Sequence, residues 1–137
     1  MAFGVIVAQL EFQFHQITER NCNHKPSQAT RLILHCAFAA SLWRSLGVVI
    51  PADFSVRDLR KLPRPATIEA VHYETFTLIC CWQLWKRRNS IVFRQETTTL
   101  RQTLQACKAE ARAWCCRLPR DARCIGDHWC SIFSLAM

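Results

Sequence analysis

Residues 100–118, LRQTLQACKAEARAWCCRL, carry the pattern on which the fold turns. Leu100, Leu104, Cys107, Ala111, Trp114 and Leu118 recur in steps of four and three without a slip. That is the spacing of one face of a 3.6-residue helix, and it is incompatible with the two-residue alternation of a strand. Pro119 follows and closes the helix. A stripe of this width must be covered by partners, and the segments on either side supply them in the same periodicity.

Upstream, Thr67 opens a helical pattern that runs to about Phe93. Its apolar positions are Ile68, Val71, Thr75, Leu78, Trp82, Trp85 and Val92, with one gap at Asn89. Earlier still, residues 30–47 read as a helix with Thr30 as N-cap and Gly47 just past the end. Its stripe is Leu32, Cys36, Ala39, Trp43 and Leu46. Ser55 can cap a short helix over 56–62, which Pro63 and Pro65 terminate. Downstream, a last helix begins near Asp121 and carries Ile125, Trp129, Ile132 and Phe133. The first twenty residues do not follow this grammar. VIVAQLEFQF alternates partly like a strand with nothing to pair with, and residues 21–29 read as polar loop broken by Pro26. The expected fold is all-α, a small bundle or array of four or five helices over residues 30–137. Residues 1–29 are expected to be a weakly structured N-terminal extension and loop.

A chain of 137 residues, half of them hydrophobic, is sized for one domain with a core. Three glycines and five prolines exclude a linker or a disordered tract. Eighteen Lys and Arg against ten Asp and Glu leave a formal charge of +8, which favours polyanionic partners. Nine cysteines would suit a disulfide scaffold, but Cys80–Cys81 and Cys115–Cys116 are adjacent pairs inside helical patterns. Neighbours on a helix diverge by about 100°, so such pairs do not bridge each other. MAFGVIVAQLEFQFHQ lacks a basic n-region and is a poor secretory signal, and no stretch has the ~18 apolar residues of a membrane span. A reducing intracellular compartment is expected, with cysteines acting as small buried hydrophobes and no membrane partner.

Two readings of ICCWQLWKRRNSIVFR, residues 79–94, stand side by side. In one, the tryptophans face a core and the cations face solvent. In the other, Lys86, Arg87, Arg88 and Arg94 join Arg101, Lys108 and Arg112 as a surface for phosphates, the last three sharing a face at i, i+7 and i+11. RNA or single-stranded DNA is the partner such a surface suggests, without sequence specificity, since no base-reading arrangement accompanies it. For metal, Cys22, His24, His35 and Cys36 lie within fifteen residues of one another. His35 and Cys36 diverge on a helix, so the set does not converge as a zinc site requires. Cys124, His128 and Cys130 form a weaker group without a fourth ligand. No nucleophile sits in a strand–turn–helix context, no glycine-rich loop exists, and the acidic residues are scattered singly. The chain therefore reads as a non-enzyme, with no small-molecule substrate expected.

Four segments together resemble a family. HCAFAASLWRSLGV (35–48), ICCWQLWKRRNSIVFR (79–94), AEARAWCCRLPR (109–120) and WCSIFSLAM (129–137) are similar, in this order, to the C-terminal region of reverse-transcriptase polyproteins of plant non-LTR retrotransposons. The similarity covers about residues 30–137, and the pair HCAFAASLW with CWQLWKRRNSIVF is its most specific part. In that family the first segment ends a zinc-binding module of the form C-x2-C, loop, H-x4-C. The resemblance places the final cysteine at Cys36 and the histidine at Arg31, whose guanidinium cannot coordinate zinc. Cys22 matches one member of the first pair, and the other falls near Glu19. The candidate ligands are thus Cys22, His24 and Cys36, an incomplete set, and no other cofactor is expected. The family's polymerase domain lies upstream of the matching region. The resemblance implies a degenerate, non-enzymatic fragment that retains weak nucleic-acid affinity. The alternative is a structural or protein-interaction remnant that self-associates through exposed apolar surface.

Overall fold

The computed structural model describes residues 31–70, 72–116, 120 and 123–137. Expectations for residues 1–30, including the weakly structured extension, the loop and the Thr30 cap, concern positions outside these. So do Val71, Leu118, Pro119 and Asp121. Among the described residues there are four α-helices: α1 (Ala37–Ser45), α2 (Tyr73–Arg94), α3 (Leu100–Cys115) and α4 (Arg123–Ala136). A π-turn, Arg31–His35, precedes α1, and a 3₁₀ segment, Val56–Lys61, lies between α1 and α2. There is no strand among the described residues. The architecture is all-α, as the stripes require.

The helix expected over 30–47 is broken at Cys36. The Cys36 amide donates to the Arg31 carbonyl (2.6 Å), closing a five-residue turn. Its own backbone is then extended (φ −66°, ψ 157°) and starts α1 afresh. Burial explains the break. A single helix with Leu32 and Cys36 on its stripe would turn Ile33 and Leu34 away, whereas both are fully buried here and Leu32 and Cys36 are only partly so. The indole Nε1–H of Trp43 donates to the Ile33 carbonyl (2.7 Å) and fixes the turn to α1. The C-terminus follows expectation. Gly47 is left-handed (φ 76°), its amide donates to Arg44 O, and the Val48 amide donates to Trp43 O. This pair of bonds is a Schellman motif, and it needs a residue without Cβ strain at Gly47.

The long helix starts later than expected, at Tyr73 rather than Thr67, after a left-handed His72 (φ 57°). Residues 63–68 form a strap held by Tyr73 Oη–H to Pro63 O (3.2 Å) and by the Arg64 guanidinium to Ile68 O. Ile68 is fully buried even though it precedes the helix. The expected stripe on α2 is a partial one. Thr75 and Trp85 are buried, Leu78 and Trp82 are half-buried, and Val92 is exposed, while Phe76, Ile79, Cys80, Cys81 and Leu84 are also buried. From Thr75 to Trp85 the helix is enclosed on nearly every side, so no single stripe describes it. Its packing is aromatic at one end, where Phe76 stacks on Phe133 (5.0 Å between centroids) and leans on Trp129 (6.2 Å).

Helix α3 follows the pattern that defined it, burying Leu104, Cys107, Ala111 and Trp114. Thr99 and Gln102 form a reciprocal capping box: the Gln102 amide donates to Thr99 Oγ1 (3.2 Å) and the Thr99 amide to Gln102 Oε1 (2.9 Å). The connection over 95–99 returns the chain antiparallel to α2. Arg87 Nε donates to Thr98 O (3.3 Å) near the turn, and Cys80 and Cys107 are both fully buried deeper in the pair. Helix α4 packs on α3 through Ile125, Trp129 and Phe133. Gly126 lets the two backbones close up, since a Cβ there would overlap Cys115 Sγ.

Candidate nucleic-acid interface

The contact between α3 and α4 leaves a groove along one flank, because the apolar stripe of α3 faces the core and the residues about 100° away stay outside. Arg101, Lys108 and Arg112 occupy that flank and line a cavity of about 400 Å³ together with Gln105, Ala109, Ser134 and Met137. The three cations span twelve residues, roughly 16 Å of helix. Among the described residues no Asp or Glu side chain lines the groove. Gln105 and Ser134 add neutral hydrogen-bonding groups between the charges. The Cys130 thiol donates to the Lys108 carbonyl (3.7 Å) and so holds α4 against the same turn that presents the lysine.

The other four expected cations project from α2 and are engaged differently. The Arg87 guanidinium lies over the Phe38 ring (3.4 Å to its centroid) and also bonds Thr98 O, so it ties α1 to the α2–α3 turn. Partial burial lowers its pKa. Arg88 lies over Trp85 (5.4 Å) and donates to Asn89 Oδ1 (3.2 Å), and the Lys86 ammonium sits 6.0 Å from the Trp82 ring. Arg94 is exposed at the helix end. The seven cations therefore divide into a three-residue groove and a set partly committed to aromatic rings, a division that charge spacing alone does not show. The groove's second wall, Ser134 and Met137, was missed in the sequence because only the α3–α4 docking brings it to Arg101, Lys108 and Arg112.

Of the metal candidates, Cys22 and His24 lie outside the described residues. Cys36 has a local role. Its Sγ accepts from the Ala39 amide (3.4 Å) as the N-cap of α1 and donates to Leu32 O (3.4 Å). His35 Nε2–H donates to Phe54 O (2.7 Å), fastening the 51–55 turn. Among the described residues no three His, Cys, Asp or Glu side chains converge as a metal site, Cys124, His128 and Cys130 included. A serine hydroxyl caps a helix at least as well as a thiol. Cys36→Ser is expected to leave the urea midpoint unchanged or raise stability by up to ~1 kcal/mol. A marked fall, accompanied by loss of protein-bound zinc in elemental analysis, would instead make Cys36 a ligand.

Among the described residues no helix is long and apolar enough to cross a membrane. No protein-family model, curated protein or solved structure matches the chain.

Proposed function

We infer that the chain is a non-enzymatic helical domain, a remnant of a retrotransposon reverse-transcriptase C-terminal region, that binds nucleic acid weakly and without sequence preference. The groove between α3 and α4 carries this reading: three cations, two neutral polar groups and, among the described residues, no Asp or Glu side chain along roughly 16 Å of helix. Guanidinium and ammonium groups at such a groove neutralise phosphates and release counterions, and nothing there is arranged to read base edges. RNA or single-stranded DNA in a reducing intracellular compartment is the proposed setting.

The test is an anisotropy titration of a mixed-sequence single-stranded RNA at several salt concentrations. If three groove cations carry the contact, log K falls against log [salt] with a slope of about −2, whereas all seven cations would give about −5. Charge reversal at Arg101, Lys108 and Arg112 together is expected to weaken binding by about tenfold or more at low salt and to flatten the slope. Absence of binding by folded protein at low salt would retire the reading.

The alternative, a structural or protein-interaction remnant, has a narrower basis than the sequence suggests. Trp43, Trp85, Trp114 and Trp129 are buried, so the tryptophan stripes are covered within this chain. What favours it is the exposure of Val49, Phe93 and Leu135. Concentration-dependent self-association in sedimentation would support it.

A further inference from the structure

Helix α2 outruns the core it packs against. Its last buried side chain is Trp85, and nine more residues continue to Arg94. Lys86, Asn89 and Phe93 on that projecting part, with Trp82 one turn before it, are spaced by four, three and four, which places them on one face. The face alternates an aromatic ring, an ammonium, an amide and a second ring. Phe93 is 77 % exposed and Val92 beside it 54 %, so neither stabilises the core. Lys86 is exposed and lies near the half-buried Trp82 ring. Asn89 Oδ1 already accepts from Arg88, which leaves its amide N–H groups as the donors to offer.

We propose that this face is a stacking platform for unpaired bases, so that the polyanion taken by the chain is single-stranded. The proposal rests on the nucleic-acid reading above and narrows its ligand. An exposed ring accepts any base on its face, an ammonium beside it takes the phosphate, and the amide meets a base edge. Bases already stacked and paired in a duplex are closed to such a ring. The five-residue connection over 95–99 puts Phe93 and Arg101 at the same end of the α2–α3 pair, where the groove begins. Between Lys86 and Arg101 there are five cations and one carboxylate, Glu96, so the approach to the face is positive. A lipid surface suits the site less well. Interfacial helices bury a continuous apolar face, and here two large apolar residues follow a lysine and an asparagine.

The experiment compares three ligands on the full chain: a mixed-sequence single-stranded RNA, the same RNA as a duplex, and phosphatidylserine-containing vesicles. Phe93→Ala and Phe93→Trp are measured beside the unchanged protein, with circular dichroism to check the fold. The single strand is expected to bind more tightly than the duplex. Phe93→Ala should weaken it about 5- to 100-fold without altering the salt slope or duplex affinity, and Phe93→Trp should restore it. Equal affinity for both RNAs, or indifference to Phe93→Ala, overturns the platform while groove-dependent binding stands. Loss of all RNA binding at low salt overturns both readings. Phe93-dependent vesicle binding without single-strand preference assigns the face to lipid instead and overturns the proposal.

Discussion

Trp43→Ala is expected to remove about 3–5 kcal/mol of stability, enough to unfold a domain whose total lies at roughly 5–15 kcal/mol. Trp43 is among the largest fully buried side chains, at 1 % exposure, and its deletion leaves a cavity where the π-turn, α1 and the Val48 corner meet. It also strips the Ile33 carbonyl of its indole donor. A buried carbonyl left unpaired costs a further ~1–3 kcal/mol unless water reaches it. Trp43→Phe separates the two contributions. It keeps most of the ring volume and loses the hydrogen bond, so its cost should be the smaller, about 1–3 kcal/mol. Urea titrations followed by far-ultraviolet circular dichroism give both values without relying on the fluorescence of the residue removed. A cost below about 1 kcal/mol for Trp43→Ala would mean that the π-turn does not depend on this indole and that the described packing around it is wrong.

The part of the fold legible in the sequence was the part governed by one periodicity. Helix α3 has one apolar face and one polar face, so Leu104, Cys107, Ala111 and Trp114 announce their burial by spacing alone. Helix α2 does not, because it is enclosed from Thr75 to Trp85, and a search for one stripe selects Leu78 and Trp82 while passing over Phe76, Cys80 and Cys81. The break at Cys36 was hidden for a different reason. Residues 30–47 keep helical spacing across it, and the burial of Ile33 and Leu34, together with the tertiary bond from Trp43 to Ile33 O, makes the π-turn preferable. At the candidate interface, the common face of Arg101, Lys108 and Arg112 was readable from one helix. The walls contributed by α4 and the diversion of Arg87 to the Phe38 ring depend on docking between distant segments, which carries no local signature. Phe93 ends the helical pattern without a place on its apolar stripe, and spacing alone does not say that it stands exposed. Its exposure follows from α2 being longer than the surface it packs on.

Stability should fall steeply above about pH 9, and the buried thiols set the sign. Cys80 and Cys81 are fully buried, and burial is the main reason their thiols titrate well above the ordinary value. For Cys80 the neighbouring Cys107 thiol adds to the effect. Below about pH 8.5–9 each thiol is protonated in both folded and unfolded chains, so the full stability is present. Above that range the unfolded chain releases these protons and the folded chain keeps them. The unfolded state then binds fewer protons, and stability declines by about 1.4 kcal/mol per pH unit for each thiol until the folded value is reached. Two such thiols steepen the decline together as pH rises past the ordinary thiol range. Tyr73, raised to about 12 chiefly by burial, adds to the decline only above its unfolded value of about 10. The measurement is a series of urea titrations between about pH 7.5 and 10.5 with reductant present, repeated on Cys80→Ala/Cys81→Ala. The double variant should be less stable at neutral pH, from the small cavities it creates, yet lose stability more gently as pH rises. Equal pH slopes for the two proteins would place Cys80 and Cys81 in contact with water and contradict the closed α2–α3 interface. A slope that stays steep in both would locate the alkaline lability elsewhere.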